Sequence, residues 1–266
     1  MKSKIRVAVV GACGRMGSES VRAVCAEKDL QLVGAFDTVN AGSDIGEIAG
    51  IGAKGVKVSS SLDLMLKDAK ADVVVDFTHA GGFGERTAKI LKAGCRIVSG
   101  TTGVDAATIS KTGKLAAQKK LGVLIAPNFA IGAVLMMQFA EKAAAYMPDV
   151  EIIELHHNRK LDAPSGTAIA TAQKISAARK GKPAADPTKL EKYAGARGGD
   201  CEDVRVHSVR LPGFLAHQEV IFGGPGQTLT IRHDTQSRDC FMPGVVLAAR
   251  RIMKVNKLVI GLENLL

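Results

Sequence analysis

Tryptophan is absent from this chain and tyrosine occurs only twice, so little aromatic surface is left for stacking on bases. The formal charge of +10 is carried by lysines and arginines spread along the whole chain. A nucleic-acid partner is therefore not expected, and a positive cleft for a phosphate-bearing cofactor or an acidic substrate accounts for the charge. The five cysteines (Cys13, Cys25, Cys95, Cys201 and Cys240) are odd in number, scattered, and contain no C-x-x-C pair. That pattern excludes a disulfide framework and gives no zinc or other metal site. No run of 18 apolar residues is present, and Met1-Lys-Ser-Lys-Ile-Arg6 leads straight into a strand-like segment instead of a signal peptide. These absences point to a reduced, cytoplasmic protein with no membrane partner.

What is present is a 46% hydrophobic content over 266 residues, enough for two modest cores. Lys4 to Val10 reads as a buried strand, Ser18 to Glu27 as a helix, and Leu30 to Phe36 as a second strand ending at Asp37. Between the first strand and the helix lies Gly11-Ala-Cys-Gly14-Arg-Met-Gly17. Strand, glycine turn, helix, strand and an acid 20 residues past the last glycine is the context of a dinucleotide fingerprint, the acid serving the ribose hydroxyls. The spacing is G-x-x-G-x-x-G, and a tight turn alone would also call for Gly11 and Gly14.

A glycine-rich loop, Gly42 to Gly50, follows. Alternation then continues with strands over Asp72–Phe77, Arg96–Ser99 and Gly122–Ala126, and helices over Gly82–Ala93 and Ala106–Lys119. This order predicts a Rossmann-type parallel sheet with ligands past the carboxyl ends of its strands. Those ends carry Thr78, Gly100-Thr101-Thr102 and Ala126-Pro127-Asn128-Phe129.

After a long apolar helix over Ile131–Tyr146 the pattern changes. A strand over Val150–His157 and a helix over Thr167–Arg179 precede a loop, Gly181–Asp203, rich in Lys, Gly, Pro and Ala. Three β-branched segments follow, Val204–Arg210, His217–Phe222 and Thr228–His233, the last two joined by Gly223-Gly-Pro-Gly226. Here an α+β domain with a mixed or antiparallel sheet is expected. Met242–Lys254 reads as a closing helix, and the apolar tail Leu258–Leu262 as a return to the first domain. The expected domains are residues 1–129 with 237–266 for the dinucleotide, and 130–236 for substrate and oligomerisation.

One stretch concentrates chemistry: Glu154-Leu-His-His-Asn-Arg-Lys-Leu-Asp-Ala-Pro-Ser-Gly-Thr-Ala168. It runs from a strand end to a helix start and holds two histidines and two cations. Ser165 and Thr167 lie beside the unpaired N–H groups of a helix's first turn, a seat for a carboxylate. Alone, Ser165 would be an ordinary N-cap; it is the cluster that points to an anionic ligand and a proton donor. Because His156 and His157 are adjacent, a regular strand would turn them to opposite faces. Either the strand ends by Leu155 or one histidine faces the ligand.

These residues resemble the dihydrodipicolinate reductase family nearly end to end. The sharpest match is Glu154-x-His-His-x-x-Lys160-x-Asp-Ala-Pro-Ser-Gly-Thr-Ala168. It is supported by Gly11-x-x-Gly-Arg-Met-Gly17, Gly42-x-Asp-x-Gly-Glu-x-Ala-Gly50, Asp76-Phe-Thr78, Gly100-Thr-Thr-Gly103, Asn128-Phe129 and Ser237-Arg238. The resemblance implies NADH and/or NADPH as cofactor, contacted by Gly11, Ala12, Cys13, Gly14, Arg15, Met16, Asp37, Gly100, Thr101, Thr102, Ala126, Pro127, Asn128 and Phe129. It implies a small dicarboxylate substrate held by His157, Lys160, Ser165, Gly166 and Thr167, with His156 as catalytic proton donor, Lys160 as its partner, and Arg238 at the hinge or near the cleft. It further implies reduction of 4-hydroxy-tetrahydrodipicolinate in diaminopimelate and lysine biosynthesis, hinge closure, and a homotetramer. Competing expectations are another two-domain NAD(P)-dependent amino-acid dehydrogenase and a non-catalytic NAD(P)H sensor. Where known family members follow the ribose-binding acid with an arginine, this chain has Thr38-Val39-Asn40. NADP use would then rest on residues such as Arg15 or Lys54, and the expectation tilts toward NADH or dual use. His79-Ala80 stands where some relatives carry Arg-Pro, so His79 is not counted as a site.

Overall fold

The structure, a computed structural model, describes residues 3–184 and 186–266. Met1 and Lys2 of the expected leaderless start, and Ala185 of the expected loop, lie outside the described residues. The chain forms two compact units, one running up to Ile131 and resuming over Arg238–Leu266, the other Gly132–Ser237.

The first unit alternates strands and helices: β1 (Ile5–Val10), α1 (Arg15–Ala26), β2 (Leu30–Phe36), α2 (Ile45–Ile48), β3 (Val58–Ser59), α3 (Leu62–Ala69), β4 (Val73–Asp76), α4 (Phe83–Lys92), β5 (Arg96–Ser99), α5 (Ala106–Lys119) and β6 (Val123–Ile125). The glycine-rich loop after Asp37 thus contains a short helix and is followed by a short strand, and α1 begins at Arg15, three residues before the expected Ser18. Gly14 is the N-cap of that helix in the extended conformation (φ −73°, ψ 167°), and Arg15 begins the helix.

All strand pairs of this sheet are parallel. Val7 to Val10 and Val73 to Val75 are fully buried, as a parallel sheet covered on both faces requires. On one face Ala8, Val10, Val74, Ile97 and Val123 meet Met65, Leu66, Phe83, Ile90, Leu91 and Ala116 of α3, α4 and α5.

The second unit is built on α6 (Ile131–Ala144), β7 (Asp149–His156), α7 (Gly166–Ala178), β8 (Gly199–Cys201), β9 (Val204–Arg210), β10 (Ala216–Gly224) and β11 (Gln227–Thr235). Strand β8 lies inside the segment expected to be loop; its sequence Gly-Asp-Cys has no β pattern, and pairing with β9 makes it a strand. The sheet order is β11-β10-β7-β9-β8. It is mixed, because β7 and β9 run parallel while the other pairs are antiparallel. Val150, Ile152 and Glu154 alternate inward along β7, toward the face where α7 buries Ala168, Thr171, Ala172 and Ile175. Glu141 of α6 meets Lys174 of α7 (3.3 Å).

The chain then returns to the first unit through a 3-10 turn (Arg238–Phe241), α8 (Met242–Arg251), a second 3-10 turn (Ile252–Lys254) and β12 (Leu258–Ile260). β12 pairs with β6, completing the order β12-β6-β5-β4-β1-β2-β3. Among the described residues no helix is long and apolar enough to cross a membrane.

Gly17 fixes how closely α1 approaches the turn that precedes it. A Cβ there would lie 2.0 Å from the carbonyl oxygen of Gly11 and 2.8 Å from Cα of Ala12. Gly17→Ala is expected to force backbone movement, costing about 1–3 kcal/mol and weakening dinucleotide binding. Thermal melting and a fluorescence titration with NADH check both effects.

Candidate active site

In the first unit, the order of strands reverses at β1, with β2 on one side and β4 on the other. The crevice of such a sheet lies beyond the strand ends at this switch point. A cleft of about 770 Å³ occupies that position, lined by Gly11, Gly14, Phe36, Asp37, Thr38, Ser60 to Asp63, Phe77, Thr78, His79, Gly82, Glu85, Arg86 and Lys89. Gly11 adopts φ +75°, and a Cβ there would come within 3.0 Å of the Phe77 carbonyl oxygen and of Thr78. The turn is therefore closed to any larger residue.

Asp37 anchors this turn. Its carboxylate accepts the Cys13 N–H (2.9 Å) and the N–H groups of Thr38 (2.7 Å) and Val39 (3.3 Å). Helix α1 has no side-chain cap and no acid in its first turn, whereas Asp44, Ser61, Asp105 and Ser165 cap α2, α3, α5 and α7. The first N–H groups of α1 are thus left for an anion, and the residues fit a dinucleotide diphosphate. Arg15, first in that helix, is exposed.

The wall opposite Asp37 rests on a buried ion pair. Asp76, fully buried at the end of β4, accepts Nε of Arg86 (2.8 Å) and both the N–H (3.0 Å) and hydroxyl (2.6 Å) of Thr78. Arg86 also donates to the carbonyls of His79 (3.1 Å) and Gly81 (3.3 Å). One carboxylate and one guanidinium thereby shape residues 78–82. His79, set aside from the sequence, lines this cleft.

Gly100 to Thr102 and Ala126 to Phe129 follow β5 and β6 and do not line the same cleft. Thr101, Ala126 and Phe129 are buried. Phe129 packs edge-on against Phe77 (5.6 Å between centroids), and a Cβ on Gly100 would sit 2.2 Å from the Phe77 ring. Asn128 accepts the Ala130 N–H through Oδ1 (2.9 Å), and Pro127 is exposed. Arg238 is exposed in its 3-10 turn.

The second unit holds the other cluster. Glu154 and His156 are two residues apart on β7 and so share a face, while His157 lies just past the strand. Nδ1 of His156 bonds the Glu154 carboxylate. Arg210, from β9, spans the same carboxylate with both terminal nitrogens (2.7 and 2.8 Å). The Ser165 N–H adds a fourth donor (3.3 Å). Glu154 is fully buried. Burial opposes its charge, but hydrogen bonds from His156, Arg210 and Ser208 outweigh it and hold the carboxyl at about 2.

The loop from His157 to Pro164 is tied to the same centre. Arg210 donates to the Asp162 carbonyl (2.8 Å), and the Asp162 carboxylate takes Nζ of Lys160 at 2.8 Å on both oxygens. That contact holds the Asp162 carboxyl below its usual range. Nδ1 of His157 is buried without a partner. Ser165 is the N-cap of α7, its hydroxyl accepting the Ala168 N–H (3.2 Å). Both its N–H and its hydroxyl are thus engaged internally. Gly166 and Thr167 supply the first N–H groups of α7, which have no intrahelical acceptor; a Cβ on Gly166 would meet nothing within 4 Å.

The first unit thus carries a dinucleotide crevice, and the second a cationic, histidine-bearing cluster. The family model described as "Dihydrodipicolinate reductase, N-terminus" matches residues 5–129, and "Dihydrodipicolinate reductase, C-terminus" matches residues 132–266. The chain belongs to the dihydrodipicolinate reductase family. This reductase is an NAD(P)H-dependent oxidoreductase. It is 53% identical over 264 residues to the 4-hydroxy-tetrahydrodipicolinate reductase of Desulfitobacterium hafniense, covering 99% of each chain. With that of Listeria monocytogenes serotype 4b it shares 51% identity over 262 residues, 98% of this chain and 100% of the other. Among solved structures it resembles the dipicolinate-bound dihydrodipicolinate reductase from Paenisporosarcina sp. TG-14, with TM-score 0.90 and 45% identity over 99% of this chain and 100% of that one. An amine dehydrogenase from Mycobacterium smegmatis, 14% identical over 98% of this chain and 96% of that one at TM-score 0.69, shares the fold alone.

Two members of the reductase's charged cluster escape a reading of the sequence as separate sites. Glu154 carried a signal, its spacing of two from His156 on a strand. Arg210 carried none, because only strand pairing brings it beside residues 56 positions away.

The depressed Glu154 carboxyl gives a definite acid response. Its stabilising contribution is complete above its ordinary value of 4.5 and is lost as pH falls through about 2. Over that window it amounts to about 3 kcal/mol. Denaturant unfolding between pH 5 and pH 2 should show the wild type losing this increment, and a folded Glu154→Gln variant lacking that part of the slope.

Proposed function

We propose that the chain reduces 4-hydroxy-tetrahydrodipicolinate to tetrahydrodipicolinate, a step of diaminopimelate and lysine biosynthesis, with His156 as proton donor. The observation that carries this reading is the placement of His156 against the buried Glu154 carboxylate, with Lys160 tied to the same network. The solved relative bound to dipicolinate, a planar dicarboxylate, supports a substrate of that class.

When bound, the reduced nicotinamide supplies a hydride. The chain's residues do the rest. Gly166 and Thr167 offer N–H donors to one carboxylate of the substrate. Lys160 turns from Asp162 to the substrate's negative charge, and His157, whose Nδ1 lacks a partner, adds a further donor. The 4-hydroxyl leaves as water to give the cyclic unsaturated imine that accepts the hydride, and the electron density left on the ring after hydride arrival takes a proton from His156, a contribution of about 10²- to 10⁴-fold for a positioned acid. His156→Gln is expected to lower kcat by about that factor with folding intact. The assay is NADH absorbance loss on substrate made in situ by the preceding synthase, and undiminished activity would exclude His156 as the donor.

The cleft favours NADH over NADPH. Asp37 brings negative charge to the ribose position, and among the described lining residues Arg86 is paired with Asp76, and Lys89 with Asp63 and Glu85. Thr38→Arg should raise kcat/KM for NADPH relative to NADH; an unchanged ratio would show that the 2′-phosphate is held elsewhere.

We also infer a homotetramer assembled through the second unit's sheet. Ile153, Leu155, Val209 and Ile221 alternate with the inward residues and so face away from α7, each only half-buried. Light scattering should give a mass near four chains, and Leu155→Lys should lower it.

A further inference from the structure

We infer that Glu154 and Arg210 are positioning residues for the proton transfer: Glu154 fixes the proton of His156 on Nδ1, leaving Nε2 for exchange with substrate, and Arg210 keeps that carboxylate charged and joined to the Lys160 loop. The inference rests on the proposed role of His156.

The argument is one of donors and acceptors. An ionised carboxylate can only accept, and Glu154, itself without exposed surface, stays ionised because Arg210 forms a bidentate pair with it. The hydrogen in the His156–Glu154 bond must therefore belong to Nδ1. Arg210 is itself oriented by the Val209 carbonyl and by the Asp162 carbonyl (both 2.8 Å). A pair serving only to join β7 to β9 would not need the histidine or the loop. Here the same four charged groups, Glu154, Arg210, Asp162 and Lys160, connect His156 to the residue proposed to assist it. The remaining neighbours are neutral: Ala216 opposite His156 on β10, Gln218 and Ser208 opposite Glu154 on β10 and β9, and Ser165 at the start of α7.

The experiment begins with the wild-type protein labelled with 15N-histidine. The His156 resonances should show the proton on Nδ1; a proton resident on Nε2 in the neutral ring would overturn the inference with no variant needed. Glu154→Gln follows, together with Glu154→Gln/Arg210→Met, which removes both charges and leaves no unpaired buried cation should the single variant not fold. In whichever folds, kcat should fall at least about tenfold with the NADH KM unchanged. The solvent deuterium isotope effect on kcat should grow while the effect of 4-deuterated NADH shrinks, as proton transfer becomes the slower step. Arg210→Lys, which keeps the charge, should restore part of kcat relative to Arg210→Met. A loss of kcat with both isotope effects unchanged would reduce Glu154 to a structural role and overturn the inference. If His156→Gln retained full activity, the proton-donor reading would fail; if that variant were inactive while Glu154→Gln behaved as wild type, the positioning role alone would fail.

Discussion

Much of the second unit depends on one carboxylate being kept ionised where no water reaches it. Removing a carboxylate from water is costly, and the cost is offset only when every lone pair finds a donor. Glu154 meets that condition with donors from three separate elements: His156 on its own strand, Arg210 on β9 and the Ser165 N–H at the start of α7. The requirement works in both directions. The charge needs its donors, and the donors, once committed, fix where β9, α7 and the following loop sit around His156.

The first unit uses the same device for a different end. Asp76 is also fully buried, and its partners are Arg86 and the residue that opens the following loop. The ion pair holds carbonyls and amides of residues 78–82 in place where a strand end would otherwise leave them to water. Both units thus fix the loop that follows a strand with a buried carboxylate at or near the strand's carboxyl end, clamped by an arginine from another element. Neither pair stabilises the protein cheaply, since breaking one partner of such a pair typically costs about 3–5 kcal/mol. Each orders irregular backbone that follows a strand.

The helix termini follow a related logic. Four helices start with a side-chain cap from Asp or Ser, whereas α1, α4 and α8 do not. A capped terminus has one fewer donor to offer, and α1, whose uncapped start follows the glycine turn, keeps its first N–H groups open. In α7 the cap takes the third N–H and leaves the first two without an intrahelical acceptor.

The alternation of buried β-branched runs with helices was enough to predict the parallel sheet, because a strand covered on both faces must be apolar throughout. The glycine turn, Asp37 and the His156-to-Thr167 stretch were legible because each is local, set by conformational freedom, charge and spacing within a few residues. The sequence pattern also placed β5 and α5 at their observed ends, over Arg96–Ser99 and Ala106–Lys119. Strand β8 was not legible, since Gly199-Asp200-Cys201 has no pattern of its own and becomes a strand only against β9. The same holds for the parallel pairing of β7 with β9, for Arg210 beside Glu154, and for Arg86 beside Asp76. Local chemistry is written in neighbouring residues, whereas the choice of which distant cation meets a buried carboxylate is made by sheet register and helix packing. That choice is what the tertiary structure decided.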